Sequence, residues 1–145
     1  MNQEQVIETV SIQRLAGKVA DAESNAAEQI RYFTQDAQVN IYMGDEKILE
    51  FSGKRYIEAG LKNFMSNVKR CHYMLGQHTI DFLNETKATG RLFCRAAHIT
   101  ENFGEDIITD YYIYYEDIYE RQRGEWLIKA RDTHYMISNK QVLGV

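Results

Sequence analysis

After Val68 the chain turns to strand and stays so. Four long segments, about Lys69–Phe82, Lys87–Asn102, Asp106–Arg121 and Glu125–Asn139, are joined only through "LNET", "FGE" and "QRGE", the last E being Glu125 itself. Connections this short join antiparallel neighbours, because a parallel crossover needs a dozen residues or more. Strands this long curl or carry bulges. The second half therefore predicts a curved antiparallel sheet, whose concave side must be covered by something else.

The first half supplies the cover. Val6, Val10, Leu15 and Val19 recur at helical spacing with Glu4, Glu8, Arg14 and Lys18 between them. A short helix over Ala26–Phe33 follows, with Ser24 or Asn25 as its cap. "DAQVNIYM" alternates as a strand, "GDEK" is a turn and "ILEFS" a short strand. "SGKRYIEAGLKNFMSNV" returns to helical period, with Ile57, Leu61, Phe64 and Val68 as its stripe and Ser52 as its cap. The order helix, helix, strand, strand, helix, four strands is an α+β architecture. The chain of 145 residues suits one domain over 1–145. A curved sheet capped by N-terminal helices leaves a pocket between sheet and helices.

Charge and composition narrow the partners. The net charge is −4 and no basic tract follows a phosphate backbone, so nucleic acid is not expected. No run of about 18 apolar residues exists, so no membrane span is expected. The start "MNQEQVIETV" lacks a basic-then-apolar pattern, which points to the cytoplasm. Cys71 and Cys94 sit in strand-like runs and read as reduced, buried thiols. No HxH or HExxH spacing occurs, so no metal site is expected.

Period-two alternation sorts side chains by face. His72, Met74, Gly76, His78, Ile80 and Phe82 form one set, and Ala88, Gly90, Leu92, Cys94, Ala96, His98 and Thr100 another. In the last strand Trp126, Ile128, Ala130, Asp132, His134 and Met136 share a side. A bulge would flip any set from the point where it occurs. His72, His98 and His134 thus fall on core-facing sets, and imidazole is the side chain suited to exchange protons near neutrality. His78, nearer its strand end, reads as a rim or structural residue. Met74, Leu92, Cys94, Tyr111, Trp126, Asp132 and His134 are the expected lining of the pocket or its rim.

The chain resembles the SnoaL-like branch of the nuclear transport factor 2-like superfamily. The resemblance rests on the element order and on "YFTQDAQVNIYMG", "FSGKRYIEAGLKNFM", "RCHYMLGQHTIDFLNETKATGRLFCRAAH" and "YYEDIYERQRGEWLIKARDTHY". It implies a cone-shaped α+β barrel with a deep pocket, and it implies homodimers. The superfamily includes ketosteroid isomerases and scytalone dehydratases. Their pattern implies His72 paired with Asp21 as the base, His98 as the acid and Tyr42 as a polarising hydroxyl, with no cofactor. Asp21 stands within one residue of the family's aspartate.

Three readings follow. One is a lyase or isomerase using dehydratase- or ketosteroid isomerase-like acid–base chemistry on a small hydrophobic, cyclic molecule. Another is a non-catalytic ligand-binding module of the same fold. A third is an interaction protein: "DYYIYYEDIYE" carries five tyrosines in eleven residues, so aromatics project from both faces of that strand.

Overall fold

The computed structural model describes residues 2–144. Helix α1 spans Gln3–Asp21 and opens with a capping box, in which Asn2 accepts from the Gln5 amide and the Gln5 side chain answers. Its buried face is Ile12, Leu15, Ala16 and Val19. The expected stripe holds only in its second half: Val6 and Val10 are 48% and 56% exposed, because the side of the first turns that meets the sheet carries Glu8, which contacts Trp126 and Arg121. Helix α2 (Ala26–Gln29), capped by Asn25, runs into a single 3₁₀ turn at Ile30–Tyr32. The expected helix over Ala26–Phe33 therefore ends early, and strand β1 already begins at Phe33.

Strands β1 (Phe33–Met43) and β2 (Glu46–Ser52) form a hairpin, followed by helix α3 (Lys54–Phe64). Gly53, not Ser52, caps α3, with φ at 88°, a region that glycine occupies without a Cβ clash. The long strands are β3 (Arg70–Phe82), β4 (Lys87–Asn102), β5 (Glu105–Gln122) and β6 (Glu125–Val142). They make one open sheet in the order β2-β1-β6-β5-β4-β3. All neighbours are antiparallel except β1 and β6, which run parallel. The chain can do this because α3 carries it from β2 to the far edge of the sheet before β3 begins.

Bulges decide which residues face inward. In β3 the register shifts between Leu75 and His78, so Cys71, Tyr73 and Leu75 face in before the bulge, and His78, Ile80 and Phe82 after it. In β6 it shifts where Tyr119 pairs Ile128 and Ile118 pairs Ala130, leaving Lys129 extra. Trp126 and Ile128 point inward before that bulge, and Arg131, Thr133 and Tyr135 after it. Strand β4 pairs β5 without interruption, and its buried side is Ala88, Leu92, Cys94, Ala96 and His98, as its alternation predicts. On β5 the inward set is Thr109, Ile113, Tyr115, Asp117 and Tyr119.

Gly90 shows how tightly this interior is packed. A Cβ there would lie 2.7 Å from the Tyr119 ring, 2.9 Å from its hydroxyl and 3.2 Å from His78 Nε2. Tyr119 is fully buried and cannot swing away. Gly90→Ala is expected to cost about 1–3 kcal/mol through overpacking. Urea unfolding checks this, and an unchanged midpoint would contradict it.

Candidate active site

The chain carries an ionisable cluster inside the curved sheet. Glu23 stands in the turn after α1. It lines a small cavity with Gln29, Phe33, Val39, Leu61, Tyr115, Arg131 and Thr133, about 30 Å³ in volume. That is room for one or two water molecules. Gln29 is fixed by donating its side-chain amide to the Val19 carbonyl at 3.0 Å, and it also hydrogen-bonds Glu23.

Burial pushes the Glu23 carboxyl from 4.5 up to about 7, against the opposing pull of Arg131 and the Gln29 hydrogen bond. An isolated carboxylate in an apolar interior gives up its charge at neutral pH unless something compensates it. Here the compensation is partial, because the nearby cation is already engaged. Arg131 donates Nε to Asp117 Oδ1 at 2.8 Å and Nη2 to Oδ2 at 2.9 Å, and both side chains are buried. The Arg131 guanidinium carbon sits 4.0 Å from the centre of the Tyr115 ring. Burial works against the Arg131 charge, but Asp117 more than reverses it and holds the guanidinium protonated.

Hydroxyls and thiols surround this centre. Tyr73, Tyr115, Tyr135, Cys71 and Cys94 all lie within electrostatic reach of Glu23. Burial keeps the three tyrosines firmly protonated, and it pushes the Cys94 thiol up to about 11. Tyr73 and His98 Nε2 are 2.6 Å apart. Burial lowers His98 to about 4, so it is a neutral imidazole at physiological pH. Tyr111 packs edge-on against both His98 and Tyr135. Among the described residues, no three His, Cys, Asp or Glu side chains converge to hold a metal ion. No helix of the described residues is long and apolar enough to cross a membrane.

The expected site residues divide between the two faces. His98, Leu92, Cys94 and Tyr111 lie on the inner side. His72 does not: the β3 bulge turns it outward and leaves it exposed, with Met74 58% exposed beside it. Asp21 is exposed at the end of α1, and the carboxylate that lines the cavity is the half-buried Glu23 two residues later. The β6 bulge likewise turns Asp132 and His134 outward. Asp132 accepts from Asn40 at 2.9 Å. His134 is sandwiched between Tyr42, 4.6 Å away, and Tyr114, 4.3 Å away, so Tyr42 belongs to the outer face. Trp126 is buried but lies at the other end of the sheet, packed on Phe82 and donating its ring N–H to Glu8.

Sequence reasoning missed Glu23, Tyr73, Tyr115, Asp117, Arg131 and Tyr135. A signal existed for Asp117, which keeps the two-residue beat of Ile113, Tyr115 and Tyr119. For Arg131 and Tyr73 the beat is broken by bulges.

The matching family model describes a SnoaL-like domain, and it covers residues 8–132. The chain belongs to the SnoaL-like family. No curated protein sequence matches the chain significantly. Solved structures share the fold at low identity. A proposed scytalone dehydratase from Novosphingobium aromaticivorans DSM 12444 superimposes with a TM-score of 0.80 at 20% identity, over 100% of this chain and 93% of the other. A hexachlorocyclohexane dehydrochlorinase, LinA type 2, gives 0.81 at 14% identity, over 97% and 93%. A Nostoc punctiforme protein with a cystatin-like fold gives 0.72 at 12% identity, over 89% and 91%.

The titration of Glu23 has a consequence for stability. Its folded value lies above its unfolded value, so the native state favours the protonated form. Stability is therefore lost as pH rises from about 4.5 to about 7, and the loss is complete above that. Glu23→Gln removes the penalty. Its midpoint is expected to match the wild type at pH 4.5 and exceed it by roughly 4–8 °C at pH 8, the effect of about 1–2 kcal/mol. Thermal unfolding at both pH values checks this, and equal midpoints at pH 8 would contradict it.

Proposed function

We propose that this SnoaL-like domain catalyses cofactor-independent proton abstraction and elimination or isomerisation, on a small, uncharged, hydrophobic substrate bearing a carbonyl. The observation that carries the reading is a cavity-lining carboxyl, Glu23, poised near neutrality, with Arg131 and Tyr115 in the same cavity wall and Tyr73 and Tyr135 within electrostatic reach. A base works best when its proton affinity is matched to the working pH.

Glu23 takes a proton from the carbon beside the carbonyl. The C–H electron pair becomes a carbon–carbon π bond, and the carbonyl oxygen becomes an oxyanion. Arg131 and the Tyr115 hydroxyl, both in the cavity wall, receive that charge. The negative charge moves from Glu23 to the oxyanion, so the net charge of the interior is conserved. The protonated Glu23 then returns its proton. Delivery to a different carbon completes an isomerisation. Delivery to a departing β-hydroxyl, as the oxyanion collapses, releases water and completes a dehydration. Tyr73 offers a fixed hydroxyl, oriented by neutral His98. The named relatives support the reading at the level of reaction type, since dehydratases and dehydrochlorinases both eliminate across a carbon–carbon bond.

The interior carries Asp117, Arg131 and Glu23 as its charged groups, so an ionised Glu23 leaves a net negative charge. This favours a neutral substrate over a carboxylate. The cavity is too small for a ring, so binding requires its wall to move. Leu61 on α3 is the wall that yields most cheaply, because α3 buries only Ile57 completely.

A second reading is a ligand-binding domain without chemistry. The small cavity and the outward placement of Asp21 and His72 favour it. Incubation with a panel of small cyclic ketones and β-hydroxyketones in heavy water separates the two. Catalysis predicts deuterium incorporation beside the carbonyl, seen by NMR, with kcat/KM rising through about pH 7 and levelling above it. Glu23→Gln is expected to lower the rate by about 10²-fold or more. Ligand-dependent thermal stabilisation without exchange in any member of the panel would leave the binding reading.

A further inference from the structure

A chain of buried polar contacts runs through the sheet behind the cavity. Arg131 is held by both oxygens of Asp117. The Tyr119 hydroxyl donates to Asp117 Oδ2 at 2.8 Å, and it lies 2.9 Å from His78 Nε2. A phenol has one proton to give. Tyr119 spends it on Asp117, so the His78 contact requires Nε2–H to donate to the Tyr119 oxygen. His78 is thereby fixed as the Nε2–H tautomer, and burial lowers its affinity for a second proton. Gly90 leaves the space in which the His78–Tyr119 contact forms. These four side chains come from β3, β5 and β6, and every contact between them is satisfied.

We propose that Asp117, braced by Tyr119 and His78, is a positioning residue that clamps the Arg131 guanidinium and fixes how much of its positive charge reaches Glu23. The proposal rests on the reading of Glu23 as the base and explains what sets its strength. Arg131 gives two of its donor nitrogens to Asp117 and presents only the remainder of its field to the cavity. The other groups facing Glu23 are Gln29 after α1, Cys71 and Tyr73 on β3, Cys94 on β4, Tyr115 on β5 and Tyr135 on β6. Each is neutral in its ordinary state, so Arg131 is the cation that matters to Glu23, and Asp117 is its counterweight.

The test needs no substrate. Glutamate labelled with ¹³C at the side-chain carboxyl is incorporated, and the Glu23 resonance, assigned by its loss in Glu23→Gln, is followed against pH. Asp117→Asn releases the guanidinium to Glu23, and the Glu23 midpoint is expected to fall by about one pH unit or more. Tyr119→Phe loosens Asp117 and is expected to shift it the same way by less. The double variant Asp117→Asn, Arg131→Met removes both charges at little cost in packing, and the midpoint is expected to rise above the wild type. If the single Asp117 variant does not fold, the double variant and Tyr119→Phe still decide the matter. Midpoints unchanged in the variants that fold would overturn the clamp. That result would leave Glu23 as base intact, because deuterium exchange is measured separately.

Discussion

The interaction on which the rest of the interior depends is the buried pair between Arg131 and Asp117. Two charges taken out of water need good geometry and further hydrogen bonds to be tolerated. Here the guanidinium meets both carboxylate oxygens, Tyr119 adds a donor to one of them, and the Tyr115 ring lies against the cationic carbon. Loss of one partner alone would strand a charge in the core, at a cost of roughly 3–5 kcal/mol. A hydrophobic pair of similar volume would fill the space without that exposure. The arrangement is better understood as a device for placing a cation inside the sheet.

Glu23 gives that cation a use. Two carboxyls face one guanidinium. Asp117 has the better geometry and takes the charge, which leaves Glu23 balanced between its acid and its carboxylate at neutral pH. The tyrosines on β3, β5 and β6 supply polar ends that face inward without adding charge. Burial keeps them protonated, so they remain hydrogen-bond donors across the working pH range. His98 is neutral for the same reason. The site is therefore one of neutral donors and one fixed cation, Arg131, around a single mobile proton, which suits chemistry that moves charge without creating it.

The fold was legible in the sequence because its cause is local. Short separators between long alternating strands leave few architectures, and strand β4, which carries no bulge, placed Leu92, Cys94 and His98 where the alternation said. The site was legible only in part, because bulges are not written in residue type. One extra residue near Gly76 turned His72 and Met74 outward and brought Cys71 and Tyr73 in. One at Lys129 did the same to Asp132 and His134, and brought in Arg131. Asp21 failed for a helical reason. It lies on the solvent side of the last turn of α1, and the carboxyl that enters the cavity belongs to the connection that follows.

The central claim is that the cavity holds a carboxyl that exchanges its proton near neutral pH. An infrared difference spectrum between pH 6 and pH 8.5 reads this directly, since a protonated carboxyl has a carbonyl stretch that its carboxylate lacks. The account predicts one such band present at pH 6, lost at pH 8.5 and missing from Glu23→Gln. A spectrum with no protonated carboxyl at pH 6, or a band that survives in Glu23→Gln, would contradict it.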